Sequence, residues 1–354
     1  MKKVLKALGG IIGALLLLVV IALGVFTIAE YRPADTEVIA ADHAAEAVLE
    51  TGKEMTLVSW NIGYGALGDN ADFFMDGGAS VYTADEARVK GNLEGIRDRL
   101  IKLNPDIIIL QEVDINASRS YGTDERELLR EAMPGASEAF AYNYKALYVP
   151  YPVPPLGHVE SGLYTLSRAE ARTAERIALP CPFTWPVRLV NLKRSLLVSR
   201  FPVKDTEKEL VLVNLHLEAY DSGEGKEAQT RQLVAFMQAE YEKGNYVIAG
   251  GDFNQRFTNI DQSAYPVYEG LWEPGEIRAE DFGSSFTLLM DNSVPTCRSL
   301  DRAYAGADPA GFQFYLIDGF IVSANVQADA AETLDYGFTC TDHNPVRLRF
   351  SLMP

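Results

Sequence analysis

Cysteine and histidine are scarce in this chain of 354 residues, which has three of the first (Cys181, Cys297 and Cys340) and four of the second. The cysteine spacing matches no zinc pattern, and the number is odd. One disulfide fits an extracytoplasmic domain; three unpaired thiols in or near the core is the equal alternative. Internal repeats and long low-complexity runs are absent. Clusters of lysine and arginine of the kind that tracks a nucleic-acid backbone are absent too. Net charge is −17. Residues 1–29 contribute three lysines and no acid, so the remainder carries about −20. Such a surface repels polyphosphates unless a local basic patch or a metal intervenes, which weighs against a nuclease. With 47% hydrophobic and 23% charged residues, the chain is not disordered over most of its length. About 320 residues beyond the N-terminal segment fit one large domain or two small ones.

What is present begins with an apolar run. After Lys2, Lys3 and Lys6 come 23 residues, Ala7 to Ala29, without a charge. At about 1.5 Å per residue, a helix of that length crosses a hydrocarbon core of about 30 Å. The lysines place the N-terminus (residues 1–6) in the cytoplasm, residues 7–29 across the membrane and the bulk outside, as a single-pass protein. A cleaved signal peptide is the rival; its apolar region is usually shorter, and Thr27-Ile28-Ala29 is a poor cleavage site. Residues 30–54 are polar, with no strand signal, and read as a tether or exposed helix. The remainder, 55–354, reads as the globular domain.

Within it, Met55–Trp60 reads as a strand and 63–80 as a Gly- and Asp-rich loop. Thr83-Ala84-Asp85-Glu86 is a capping-box signature for a helix to about Leu103, stopped by Pro105. Asp106–Val113 reads as a buried strand, and Thr123 opens a second helix to about Met133. Five strand-like segments follow, ending with Leu192–Ser199 and Leu210–His216. The 226–243 stretch has helical spacing, with Gly244 after its end. Strands are expected at Tyr246–Ala249, Phe314–Val322, Thr333–Phe338 and Val346–Leu352. Helices interspersed among strands predict an α/β chain with helices outside mixed sheets.

The polar residues of interest share one placement, at or just past an apolar strand: Asn61, Glu112, His216, Asp252 with Asn254, Asp318, and Asp342 with His343. Singly, each has a bland reading as a turn, a buried ion-pair member or a satisfied core histidine. Six such placements in one chain are much harder to dismiss. Ser59-Trp60-Asn61, Gln111-Glu112-Val113-Asp114, Asn214-Leu215-His216-Leu217, Gly251-Asp252-Phe253-Asn254, Leu316-Ile317-Asp318 and Thr341-Asp342-His343 occur in this order. In that pattern residues 55–352 resemble the endonuclease/exonuclease/phosphatase superfamily, which includes deoxyribonucleases, neutral sphingomyelinases and inositol polyphosphate 5-phosphatases. The resemblance implies a four-layer α/β sandwich, two packed mixed β-sheets flanked by helices, with the site at one edge.

The chemistry asks for these residue types. A phosphoester resists attack because its oxygens are already negative, and a hard divalent cation, Mg²⁺ or Mn²⁺, offsets that charge. Such an ion prefers oxygen ligands. Glu112 is the first choice, with Asn61 offering a side-chain carbonyl and, by resemblance, Asp342 a second carboxylate. Gly63 stands where some nuclease members carry an acid. Water would be the nucleophile, oriented and deprotonated by Asp252, with Asn254 donating to a phosphoryl oxygen. His216, if protonated, stabilises the transition state, a form that a neighbouring carboxylate favours. By resemblance His343 contacts the phosphate and Asp318 fixes a histidine tautomer. Lys193 and Arg194 are further phosphate-contact candidates, against a reading as strand-edge charges. The proline-rich Tyr148–Leu156 loop either packs on the domain or dips into a headgroup region. A phosphoester substrate, small or with a lipid headgroup, needs less positive field than DNA or a polyphosphate and benefits from tethering. An anchored extracytoplasmic nuclease is the alternative.

Overall fold

Apolar residues alternate along the central strands between two packing partners, and this alternation builds the layers. A computed structural model describes residues 2–40 and 45–354. One sheet runs in the order β1 (Thr36–Ile39), β6 (Thr173–Ala178), β7 (Ser195–Pro202), β8 (Glu209–His216), β9 (Tyr246–Asp252), β15 (Asp318–Ser323), β12 (Phe286–Leu289). The other runs β16 (Val326–Ala328), β18 (Val346–Leu352), β2 (Met55–Asn61), β3 (Ile107–Asp114), β5 (Gly157–Ser167), β4 (Ser137–Val149), with β17 (Glu332–Thr333) paired to β18. Two ribbons lie outside the sheets: β10 (Gln255–Phe257) with β11 (Gly275–Ile277), and β13 (Cys297–Arg298) with β14 (Phe314–Tyr315).

Leu57, Ile107, Ile109 and Leu348 of the second sheet meet Leu210, Leu212, Ile248 and Phe320 of the first. Their neighbours point the other way. Trp60, Ile108 and Leu110 pack against Leu93, Ile96 and Leu100 of α2 (Glu86–Leu103). Val211, Val213 and Val247 pack against Leu233 and Met237 of α4 (Glu224–Glu242). The result is the expected four-layer α/β sandwich, helix–sheet–sheet–helix. Strands buried on both faces read as continuous apolar runs, which is why β3 and β9 carry such uniform sequences.

Two parallel pairs position the polar strand ends. α2 connects β2 to parallel β3, and α4 connects β8 to parallel β9. Parallel pairing brings the C-terminal ends of both strands to one edge, with Asn61 beside Gln111 and His216 beside Asp252. Antiparallel β15 sets Asp318 opposite Asp252.

Several expectations are corrected. Residues 30–54 are more than a tether: β1 pairs with β6 at the sheet edge, and Ala47 and Leu49 bridge to Ala169 and Val203. Residues 41–44 of that segment lie outside the described residues. The cap of α2 is Asp85, which accepts from Arg88 N, while the Thr83 hydroxyl donates to Ala66 O. Asp124 caps α3 (Glu125–Leu129), which is shorter than expected and passes into a 3₁₀ turn. Of Thr333–Phe338 only Thr333 is in a strand, paired as part of Glu332–Thr333, and Phe314–Val322 splits at Leu316-Ile317. All three cysteines are free thiols, Cys181 exposed and the others buried.

Candidate active site

Glu112 reaches the site through a backbone irregularity. Its φ is +55°, and the β3–β5 register shifts between Leu110 and Val113. A bulge re-aims a side chain that regular alternation would send elsewhere, and the strain is tolerated because both flanking strands are fixed. Asn61 sits beside it. Its Nδ2 donates to Glu112 Oε1 (3.1 Å) and Asp252 Oδ2 (3.0 Å), while its Oδ1 accepts from Gly63 N (3.0 Å). That carbonyl, the expected metal ligand, is engaged by the backbone, so Asn61 here ties two carboxylates together.

Asp252 is buried, and its second oxygen accepts from Asn254 N (2.9 Å). Burial first, then the facing Asp318, pushes its carboxyl up to about 7, although His343 opposes this. Asn254, at φ +51°, donates from Nδ2 to Leu217 O (2.9 Å). That leaves one N–H for another partner.

The two histidines differ in charge. His343 Nδ1 lies 2.8 Å from Asp318 Oδ2, and Nε2 faces Asp252 Oδ2 at 3.8 Å and Asp342 Oδ2 at 3.9 Å. Burial disfavours its cation, but Asp318, Cys297 and Asp342 outweigh that and hold the imidazolium well above the usual histidine range. His216 Nε2 lies 3.3 Å from Asp252 Oδ2, and Nδ1 lies 3.9 Å from Glu112 Oε1. Burial, Arg194, His343 and Arg119 keep it well below its ordinary value, hence neutral. The directions of these shifts favour the proton on His343 over His216, which was the histidine considered for that charge.

The sequence matches the Endonuclease/Exonuclease/phosphatase family over residues 58–343. The chain belongs to that family. Membership makes it a metal-dependent phosphoric ester hydrolase. Among solved structures, an endonuclease/exonuclease/phosphatase from Beutenbergia cavernae is similar at 16% identity, covering 85% of this chain and 72% of that one, with a TM-score of 0.56. A mannosyl-6-phosphatase from Bacteroides thetaiotaomicron is similar at 16% identity over 84% of this chain and all of that one, with a TM-score of 0.50. These likenesses concern the fold. No functionally curated protein matches the sequence.

In this phosphoesterase, Glu112 and Asp342 fit a hard divalent cation. Asp342 is buried and its carboxyl is raised, by burial first and then by Glu112 despite His343 and Arg298. A buried carboxylate raised by a second carboxylate nearby calls for a cation. Asp252, Asp318 and His343 also present three ligand atoms within 4.8 Å, but the imidazolium already supplies the positive charge there. A Cβ on Gly63 would fall 3.1 Å from Asp342 Oδ1, so the acid that some nuclease relatives carry here would crowd Asp342.

Of these groups Glu112, His216, Asp252, Asn254, Asp342 and His343 line one cleft of about 610 Å³. Arg194 lines it too, buried, with Nε and Nη1 lacking hydrogen-bond partners and Glu218 3.9 Å away. Lys193 does not: its Nζ donates to Arg188 O (2.7 Å) and Glu30 Oε1 (3.4 Å) on another face. Asp76 and Tyr220 stood outside every motif, yet they meet in the cleft, Tyr220 donating to Asp76 Oδ1 at 2.9 Å. Burial, then Asp342 and Glu112, pushes Asp76 up to about 7 even though Tyr220 opposes this. The Gly- and Asp-rich composition after Asn61 was the one available signal. Arg119 was also missed. It grips Asp114 through Nε and Nη2 (both 3.0 Å) and lies 3.5 Å from the Tyr64 ring centroid, buttressing the Glu112 bulge from behind.

Proposed function

We propose that this cleft hydrolyses a phosphoester by water attack, assisted by Mg²⁺ or Mn²⁺ held at Glu112 and Asp342, and that the substrate is a lipid-headgroup or other small phosphodiester carrying an apolar group. The observation that carries this reading is the contrast within the cleft. Its lining gathers Glu112, Asp252, Asp342, His216 and His343 together with the apolar Phe73, Phe74, Val149, Tyr151, Leu156 and Phe183. Among the described residues its arginines are Arg119, Arg194 and Arg298, all buried, and no lysine lines it. A polynucleotide would want the opposite, a basic wall along many phosphates.

When bound, the cation would offset phosphoryl charge and stabilise the leaving oxygen. Asp252 orients water and takes its proton at Oδ2, a carboxylate placed near neutrality being suited to general-base work. Asn61 and the neutral His216 hold that oxygen in place. The His343 imidazolium, fixed by Asp318, donates to a phosphoryl oxygen, and Arg194 and the free Asn254 N–H bind the others. The N-terminal helix α1 (Lys2–Ala29) is long and apolar enough to cross a membrane, and none of its described residues is buried. With Lys2, Lys3 and Lys6 at its start, it would keep the N-terminus cytoplasmic and the catalytic domain outside.

The test is hydrolysis by the full chain in detergent micelles, with Mg²⁺ or with chelator. The panel holds bis-p-nitrophenyl phosphate, phospholipid and sphingomyelin micelles, and plasmid DNA. Mg²⁺-dependent cleavage of bis-p-nitrophenyl phosphate and of a lipid is expected. Cleavage of DNA alone would replace this reading with an anchored nuclease, and activity that survives chelation would remove the metal.

A further inference from the structure

Two exposed loops flank the cleft mouth. In the first, Val149 and Leu156 are buried while Tyr151 is 70% and Val153 92% exposed, so the loop is packed at its ends and bare at its tip. The second, around the 3₁₀ turn Val187–Val190, exposes Trp185 (51%) and Val187 (53%). The loops belong together: Val190 packs on the core cluster that holds Val149 and Leu156, and Tyr144 Oη donates to Val190 O (2.9 Å). Exposed aromatic and aliphatic side chains grouped at one opening are not explained by the fold.

The second loop also touches the end of α1. Trp185 Nε1 donates to Thr27 Oγ1 (3.2 Å). Just past the helix, Arg32, Arg188 and Lys193 surround one carboxylate, Glu30, at 2.9, 3.2 and 3.4 Å. Three cations against one acid leave a local excess of two positive charges on an otherwise strongly acidic protein. An apolar rim, a Trp at the helix exit and a cationic collar are what an anionic bilayer surface accommodates.

We propose that the face formed by Tyr151, Val153, Trp185 and Val187 seats in the interface of the anionic leaflet from which α1 emerges, so that the cleft opens directly onto lipid. The occupant follows from continuity with the apolar helix and from the charge of the collar. The inference rests on the reading of α1 as an anchor and, for its functional consequence, on the phosphoesterase reading above. The rim would shelter an acyl chain while the headgroup phosphate reaches Arg194 and His343, which explains why the cleft walls are apolar up to the mouth.

The experiment uses the full chain in vesicles of phosphatidylcholine with a minority of phosphatidylglycerol. In the first arm the vesicles carry bromine on the acyl chains near the headgroups, and tryptophan fluorescence of the wild type is compared with that of Trp185→Phe, which subtracts the signal of Trp60 and Trp272. The expected result is bromine quenching of the Trp185 component. An unquenched component, as when a second copy or another protein covers this face, overturns the proposal, and this readout does not depend on any enzymatic activity. In the second arm, Val153→Ser combined with Trp185→Ser is expected to lower the rate on vesicle phospholipid by about tenfold, leaving the rate on bis-p-nitrophenyl phosphate unchanged. Equal losses on both substrates would mean that these side chains serve the fold, and would overturn it. A wild type that hydrolyses no phosphoester, yet shows quenched Trp185, sinks the functional reading and leaves the membrane face standing.

Discussion

The division of labour between neighbours can be tested one side chain at a time. Arg194 and Lys193 are adjacent in sequence but serve different faces: the first is buried in the cleft with two unpaired N–H-bearing nitrogens, and the second is tied to Glu30 and Arg188 O. Losing a charge-assisted contact to the phosphate costs about 1.5–3 kcal/mol, so Arg194→Gln should lower kcat/KM by roughly 10- to 100-fold. Lys193→Gln should leave turnover of bis-p-nitrophenyl phosphate nearly unchanged. Equal effects would contradict the assignment of Arg194 to the phosphate. Asp252→Asn should remove activity by about 10²- to 10⁴-fold, the span of general-base contributions. The thermal transition should stay near that of the wild type, because the buried carboxyl is itself unfavourably placed. A collapse of the melting transition with retained activity would reverse the argument. The residue types and their order along the chain marked out this candidate site. Which histidine carries the charge was not legible, because it depends on Asp318 facing His343 and on Arg194 beside His216, contacts made only when two sheets close on each other.

Elements hold these residues in register, and glycine permits the closest approach. Gly251 has φ +142°, and a Cβ there would fall 2.0 Å from Leu215 O on the paired strand. Gly251→Ala must push β8 and β9 apart, which should cost about 3 kcal/mol or more. It should also separate His216 from Asp252, so urea denaturation and activity should fail together. Farther along, α4 is pinned to β7 by Glu240. This buried carboxylate accepts from Arg200 Nη1 and Nη2 (3.0 and 2.8 Å), Lys243 Nζ (2.8 Å) and Asn245 Nδ2 (2.8 Å). Burial alone would raise its pKa, but these donors bring it down to about 2. A depressed folded pKa stabilises above the unfolded value of about 4.3 and is lost as pH falls through the folded one. Wild-type stability should therefore drop by an amount on the order of 3 kcal/mol between pH 5 and pH 2 from this group, and Glu240→Gln should flatten that part of the curve. An unchanged slope in acid denaturation would contradict it. The strands themselves were readable as apolar runs and the helices as 3.6-residue periodicities. The pairing of β1 was not, because four residues of mixed burial at a sheet edge carry no periodic signal; their partner β6 supplies the order.

At the scale of the whole molecule, charge and function pull against each other. A chain of net charge −17 gathers further like charge in its cleft, where burial and then Glu112 raise Asp342 and where Asp76 is pushed up to about 7. Repulsion of this kind lowers stability until a cation enters, so metal binding and folding are linked. Titrating the chelator-treated protein with Mg²⁺ should raise the melting temperature. At a concentration about 100-fold above Kd the gain is about 2.7 kcal/mol, several degrees for a domain of this size. Asp342→Asn removes one of the repelling charges. It should raise the melting temperature of the chelated protein by about 2 °C while abolishing the Mg²⁺-dependent increment. Calorimetry of the two proteins, with and without Mg²⁺, separates the alternatives without reference to any substrate. If the variant keeps the increment, the cation does not sit at Asp342. If the variant is less stable than the wild type under chelation, Asp342 is a structural anchor whose burial is already compensated, and the ligand set must be sought around Glu112 and Asp76.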